Sequence, residues 1–302
     1  MKKIIAIVNQ KGGVGKTTTA VNVGACLAVA DQNVLLIDID PQGNATTGLG
    51  LSKADDGENN IYSALMEGEI TDAMVFDTAV DRLKAIPSTT DLYGAEIELV
   101  SFENREKRLA QIIDKVTDKY DFVIIDCPPS LGLLTLNALT AADSVLAPIQ
   151  TEYYALEGLS QLVRTIDRVK GAFNPALSIE GLLFTMVDGR TTLSNQVMEE
   201  VKNHFGDAVF ETVIPRNIRL SEAPSHGKPI ILYDVKSKGA DAYVDLAYEI
   251  IKRNKGAFRK AQAVQEQMGP PRAEEVESPA LVEAQTGSIE PEAMAANQQI
   301  DA

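Results

Sequence analysis

Apolar positions along this chain fall into two kinds of run. Short continuous runs at Ile4–Val8, Val34–Ile37, Leu83–Ile86, Phe122–Ile125, Val145–Ile149, Ile179–Val187 and Val209–Ile214 read as strands. Because they do not alternate with polar residues, they predict strands covered on both faces. Between them lie stretches with apolar residues at helical spacing: Thr18–Ala30, then 94–118, 133–142, 155–171, 192–205 and 240–260. The first of these is apolar or small on every side, the pattern of a buried helix. Strands alternating with helices predict an α/β fold: a mostly parallel twisted sheet flanked by helices on both faces. Residues 50–80 carry the weakest pattern. No repeat and no linker divides residues 1–260, so one domain is expected there.

Residues 261–302 differ in kind. They are rich in Ala, Gln, Glu and Pro, lack aromatic residues, and carry eight acidic side chains against one basic. Such a segment cannot bury enough apolar area to offset the entropy of ordering, so it is expected to be a disordered acidic tail. It holds −7 of the formal charge of −15, leaving −8 on the first 260 residues. Taken alone, that charge argues against nucleic acid as a partner, but its distribution matters more than its sum. Two cysteines, Cys26 and Cys127, cannot build a disulfide framework or a four-thiolate zinc site within one chain. No run approaches the ~20 apolar residues of a membrane span, and the N-terminus lacks signal-peptide features. A cytoplasmic protein is expected.

The chemistry begins after the first strand, at Asn9-Gln-Lys-Gly-Gly-Val-Gly-Lys-Thr-Thr18. A Gly-rich turn between a strand and a helix lets backbone amides approach phosphate oxygens, helped by the positive end of the helix. Gly12, Gly13, Val14, Gly15, Lys16, Thr17 and Thr18 are the expected nucleotide-binding residues. Lys16 reaches the terminal phosphates, and the Thr17 hydroxyl is placed for Mg²⁺. The loop lacks glycine at position 10, where Gln10 stands, and adds Lys11. Two strand-end carboxylate segments accompany it: Leu35-Leu36-Ile37-Asp38-Ile39-Asp40 and Phe122-Val123-Ile124-Ile125-Asp126. Apolar strands of this kind deliver carboxylates to the carboxyl edge of an open sheet, where ligands bind.

Lys-Gly-Gly-Val-Gly-Lys-Thr-Thr resembles the deviant Walker A loop of the ParA, MinD and nitrogenase iron-protein ATPases, a class of P-loop NTPases. Asp-Pro-Gln-Gly-Asn at 40–44, Pro-Ile-Gln-Thr-Glu-Tyr-Tyr-Ala-Leu-Glu-Gly at 148–158 and Ile-Pro-Arg-Asn-Ile-Arg-Leu-Ser-Glu-Ala-Pro-Ser-His-Gly-Lys-Pro at 214–229 are similar to the chromosomal ParA, or Soj, family. The similarity covers residues 2–255. It is to the short type, with no room before the first strand for a helix-turn-helix domain. The resemblance implies a partner-stimulated ATPase using ATP and Mg²⁺. Lys11 reaches into the partner subunit's nucleotide site. Asp40 orients the attacking water near the metal, Asp126 holds Mg²⁺ through water, and Pro215, Arg216 and Asn217 meet adenine. ATP joins two copies into a homodimer that binds double-stranded DNA without sequence preference. A ParB-type centromere-binding protein triggers hydrolysis and release. The protein is then nucleoid-associated.

DNA contact requires local basic groups whatever the net charge. The resemblance points to Arg190 and Arg219. The run Ile250–Lys260 adds Lys252, Arg253, Lys255, Arg259 and Lys260 without an acid, and Lys252 and Lys255 are taken as DNA candidates. The run reads equally as a helix end whose cations meet the negative dipole pole. Rival readings are a MinD-like membrane switch, a nucleotide-gated regulator of a replication initiator with little turnover, and an iron–sulfur protein bridged by cysteines. The first needs a cationic amphipathic C-terminal helix, which the acidic tail does not resemble; no membrane partner is expected.

Overall fold

The computed structural model describes residues 2–52 and 58–268, with backbone alone at 117 and 256–268. The chain divides into a compact unit of residues 1–260 and a second unit of 261–302. The acidic tail lies, from residue 269 on, outside the described residues.

Seven described strands form one sheet: β1 (Lys3–Ile7), β2 (Val34–Asp38), β3 (Phe76–Asp77), β4 (Leu83–Ile86), β5 (Phe122–Asp126), β6 (Ser144–Gln150) and β7 (Ser178–Thr185). Their order is β3-β4-β2-β5-β1-β6-β7, parallel throughout except for the short β3 edge. The helices are α1 (Lys16–Val29), α2 (Asn44–Gly48), α3 (Ile61–Glu67), α4 (Leu92–Glu98), α5 (Arg108–Ile113) and α6 (Leu133–Ala141). They continue with α7 (Ala155–Ala172), α8 (Thr192–Phe205), α9 (Ile218–Glu222), α10 (Ile230–Tyr233) and α11 (Lys238–Met268).

Side-chain alternation along each strand feeds two separate cores. Val34 and Leu36 of β2 join Ile5 and Ile7 of β1 under α1, α10 and α11. Leu35, Ile37, Ile4 and Ala6 face the other way, under α3 to α8. This is why the strands read as continuous apolar runs: both faces are covered. The all-round apolar pattern of α1 has the same origin, since that helix is buried from Thr19 to Ala28 against β2 and the helices above it.

Two predicted elements are corrected. The proposed strand Val209–Ile214 forms a single isolated bridge, Leu182 with Val209, and another, Val187 with Pro215, lies just beyond it. The cause is Glu249 on α11, whose carboxylate accepts the amides of Glu211 and Thr212 at 3.0 Å each, and the Thr212 hydroxyl at 2.8 Å. Burial works against ionising Glu249, but these bonds and its Arg253 partner outweigh it and hold its acidity stronger than usual. Phe210 and Ile214 still donate to the Leu182 and Phe184 carbonyls of β7, at 3.0 and 2.9 Å, but the Thr212 amide between them, which a continuous ladder would use, is taken by Glu249. The proposed helix 94–118 breaks into α4 and α5, because Asn104 sits in the left-handed region at φ 55. Helix α1 starts at Lys16, two residues before the predicted start, capped by Gly15.

Glu249→Ala strips the acceptor from two backbone amides and Arg253 of its partner. It is expected to destabilise the folded unit by about 2 kcal/mol, read by urea denaturation, with nucleotide affinity unchanged.

Candidate functional site

β1 lies between β5 and β6, so the loop that leaves it opens at the carboxyl edge between two crossovers running in opposite directions. Asn9 pins the entry: its Nδ2 donates to the Pro148 carbonyl at 2.7 Å, and its Oδ1 accepts the Lys11 amide at 3.0 Å. Gly13 and Gly15 follow at φ 74 and 90, angles that strain any residue with a Cβ. No side chain caps the α1 N-terminus. Lys16 is 6% exposed, and its Nζ donates to the Lys11 carbonyl at 3.2 Å. Burial lowers its proton affinity; Asp126, Asp40 and Cys127 act in the opposite direction.

Register brings the carboxylates together. Asp126 of β5 pairs with Asp38 of β2 on one side and with Ile7 of β1 on the other. Asp38 is fully buried and serves the fold. It accepts the Thr46 amide and hydroxyl at 2.8 Å each, and the Asp40 amide at 3.2 Å. Burial nevertheless pushes its pKa up to about 6. Asp40, 5% exposed, accepts the Gln42 amide at 2.9 Å, and its carbonyl accepts the Ser88 hydroxyl. Ser88 in turn donates its amide to Thr46 Oγ1 at 2.9 Å, which ties the Asp40 segment to the end of β4.

Asp126 is different. Both of its oxygens are buried, and neither accepts a well-formed hydrogen bond. Burial drives its pKa well above the carboxylate range, and Asp38 and Asp40 add to the effect; the nearby Thr17 hydroxyl and Lys16 act against it. A buried carboxylate whose only nearby donors are the Thr17 hydroxyl and the Lys16 ammonium, neither in well-formed hydrogen-bond geometry, suits a hard cation that takes oxygen ligands. The desolvated ammonium of Lys16 and the glycine amides suit an anion. The residues therefore fit a magnesium–polyphosphate pair.

A cavity of 390 Å³ opens over these groups, lined by Gly12, Gly13, Gly15, Lys16, Thr17 and Thr18 of the loop and by Asp40 across from it. A second cavity of 250 Å³ adjoins it and shares Gly15, Thr18 and Met186. Pro215, Arg216 and Asn217 line this second space, so the structure brings those three to the phosphate loop. Val14 is buried behind the loop, 1% exposed. Lys11 lies apart, on the surface, in an ion pair with Glu152. Sequence reasoning missed Gln42, Asn44, Pro129, Met186 and Tyr243, which line one cavity or the other. Met186 carries no sequence signal, yet it is one of four non-glycine residues described at positive φ (51).

The four basic candidates do not form one patch. Arg190 bonds Asp188 through two nitrogens, at 2.8 and 2.6 Å. Arg219 pairs with Glu222 at 2.8 Å and Asp234 at 3.4 Å. Both lie toward the carboxyl edge, beyond β7 and Pro215. Lys252 and Lys255 are exposed and have no acidic partner among the described residues. Gly239 packs by Leu220, but Asn254 bonds Glu180 near the start of β7. At ~1.5 Å per residue, α11 thus carries the lysines roughly 20 Å toward the opposite edge. Arg253 between them is structural, lying over Phe210 at 4.2 Å and bonding the Val209 carbonyl at 2.8 Å. Cys26 and Cys127 are buried, 3% and 0% exposed, and burial raises both thiols, Cys26 to about 12. Neither sulfur is presented to another subunit. Among the described residues, no helix is long and apolar enough to cross a membrane.

A carboxyl whose pKa rises on folding favours the folded state while protonated, and that contribution is lost as pH increases. Ligand-free Asp126→Asn is therefore expected to melt above the parent chain near pH 8, by about 2–4 °C for each kcal/mol relieved. The gap should close as pH falls toward the ordinary carboxylate range. Calorimetry at both pH values checks this, and equal melting throughout would remove the case for a strained carboxylate.

Residues 2–179 match the AAA domain family. The sporulation initiation inhibitor protein Soj of Bacillus subtilis (strain 168) is 61% identical over 250 residues, 83% of this chain and 98% of Soj. The chromosome partitioning protein ParA of Myxococcus xanthus is 56% identical over 252 residues, 83% of this chain and 89% of that protein. Among solved structures, cobyrinic acid a,c-diamide synthase from Mycobacterium smegmatis with bound ADP and magnesium gives a TM-score of 0.75 at 37% identity, covering 85% of this chain and 97% of that one. With a deviant phosphate loop, two strand-end carboxylates at the sheet's carboxyl edge and relatives matched along nearly their full length, the chain belongs to the Soj/ParA family of chromosome-partitioning ATPases.

Proposed function

We propose that this chain is an ATP-driven partitioning switch. Mg-ATP joins two copies into a sandwich dimer that binds double-stranded DNA nonspecifically, and a ParB-type partner stimulates hydrolysis and release. The observation that carries the reading is the buried Asp126, without a well-formed hydrogen bond and beside Thr17 and Lys16, under a cavity that adjoins a second one.

The triphosphate lies along Gly12–Thr18, with adenine in the space lined by Pro215, Arg216 and Asn217. Thr17 and Asp126 would hold Mg²⁺, with Asp40 close by, and the bound metal would neutralise charge on the phosphate oxygens. Asp40 accepts a hydrogen bond from a water and holds it in line with the terminal phosphorus. The new bond forms from that water, the bond to the bridging oxygen breaks, ADP leaves with the electron pair, and the water's proton passes to an oxygen of the released phosphate. Lys16 faces the charge that builds on the transferred group. Its low-dielectric setting makes the interaction stronger than it would be in water.

Lys11 supplies the coupling to dimerisation. It lies outside its own cleft, and its pair with Glu152 is half-exposed. Exposed pairs of this kind contribute about 0–1 kcal/mol, so the ammonium is easily redirected to a partner's phosphates. Arg190 and Arg219 would have to exchange firmer pairs, with Asp188 and with Glu222 and Asp234, to reach DNA phosphate. Lys252 and Lys255 add charge from the other edge of the sheet, and a surface so divided gives weak, salt-sensitive binding.

Lys16→Ala is expected to lose ATP binding, and Asp40→Ala to bind ATP and dimerise without hydrolysis, remaining on DNA. Calorimetric titration and sedimentation with nonspecific duplex test the pair. A Lys16→Ala chain that keeps its affinity sinks the phosphate assignment, and a monomeric Asp40→Ala gives Asp40 another role.

Arg219→Ala, chosen because glutamate would face Glu222 and Asp234, is expected to lower the slope of log affinity against log salt by about 0.9 per contact per chain. Dimerisation with ATP should persist. An unchanged slope removes Arg219 from the DNA surface.

A further inference from the structure

Two side chains from outside the phosphate loop grip its backbone, and the loop motif calls for neither. Thr185, the last residue of β7 and 2% exposed, donates its hydroxyl to the Val14 carbonyl at 2.8 Å, with the Ile149 carbonyl a longer second acceptor at 3.3 Å. Gln150, the last residue of β6, donates from Nε2 to the Gly13 carbonyl at 3.2 Å and to Met186 Sδ at 3.1 Å. An amide nitrogen has two protons, so both contacts can be made at once.

The consequence follows from the planarity of the peptide. In a trans peptide, the carbonyl of one residue and the N–H of the next point in opposite directions. Drawing the Gly13 carbonyl toward β6 turns the Val14 N–H away from it. Drawing the Val14 carbonyl toward β7 turns the Gly15 N–H away from that strand. On the sheet, β6 and β7 lie to one side of β1, while β5 and β2 lie to the other. The 390 Å³ cavity is bounded on that other side by Asp40 after β2 and Pro129 after β5. Met186, after β7, also lines this cavity; the two anchors draw the carbonyls toward β6 and β7, and the amides that follow them are turned toward the Asp40 and Pro129 wall. Gly13 and Gly15, at φ 74 and 90, allow two successive peptide planes to be set this way. The same glycines would let those planes turn at little cost if nothing held them.

We infer that Thr185 and Gln150 are positioning residues for polyphosphate recognition, fixing the direction of two loop amides before the ligand arrives. The inference rests on the phosphate reading of the loop and extends it to residues that do not touch phosphate. Holding the dipoles in advance removes an ordering cost from binding, and the benefit reaches only ligand groups that meet those amides.

The test is binding of ATP, ADP and adenosine with Mg²⁺ by the full chain, using displacement of labelled ADP. Thr185 also lines the second cavity, so the readout is the difference between ligands: Thr185→Val, which keeps the shape and removes the hydroxyl, is expected to weaken ATP and ADP about tenfold more than adenosine, a difference of about 1.4 kcal/mol. Thr185→Ser should restore affinity. Gln150→Leu, at a part-exposed position, should show the same split at about threefold; it carries the test if Thr185→Val does not fold. Equal losses for all three ligands, or no loss, overturn the positioning role. If the parent chain binds adenosine as tightly as ATP, the phosphate reading itself fails, an outcome separate from either.

Discussion

Asp38 and Asp126 end adjacent strands in register, and the sheet gives only one of them a set of partners. Two carboxylates in a low-dielectric position repel each other and lose their hydration together. Asp38 escapes by recruiting Thr46 through both backbone and side chain, and that contact fixes α2 over the end of β2. Asp126 has only the Thr17 hydroxyl and the Lys16 ammonium nearby, neither in a well-formed hydrogen bond. The nearby ammonium of Lys16 is itself desolvated and donates to a loop carbonyl. The edge of the sheet is therefore electrostatically incomplete without a ligand. A bound cation–anion pair removes the defect at both ends, which ties affinity to the protein's own stability.

The parts of this arrangement visible in the sequence are those made of consecutive residues. The run Phe122–Ile125 before Asp126 announces a strand buried on both faces, and the loop from Lys11 to Thr18 carries its chemistry in order. Asp38 and Asp40 were also legible as a pair, and the family resemblance singled out Asp40, but the residues themselves do not show the division. Nothing in Ile37-Asp38-Ile39-Asp40 shows that Thr46 will occupy the first and leave the second facing a cavity. Tertiary contacts decided the failures as well. Val209–Ile214 has strand composition, yet Glu249, distant in sequence, takes the amides a ladder would need. Met186 and Tyr243 reach the base-sized cavity only because β7 and α11 bring them to the loop. No local pattern encodes such a meeting.

Net charge misleads for a related reason. A formal charge of −15 is a sum, whereas phosphate binding depends on which cations can turn outward. Arg253 sits in the same basic run as Lys252 and Lys255, yet it is committed to Phe210, Glu249 and backbone carbonyls. The two lysines are not so committed. A run of like charges in sequence is thus divided by the helix into a structural member and exposed ones. Counting residues overstates the surface by the share the fold has used.

The loop is held from one side and open on the other. Asn9, Gln150 and Thr185 tie it to β6 and β7, while the Asp40 segment that faces it across the cavity is tied instead to β4 through Ser88 and Thr46. The two walls of the cleft are thus anchored to different parts of the sheet. Lys11 leaves the rigid wall and points outward, so the loop's geometry can be read from outside the cleft. An exposed ion pair with Glu152 is weak enough to yield to a stronger anion. Rigid anchoring behind the loop and weak tethering in front of it make the same segment a fixed cradle for one ligand and a movable contact for the next.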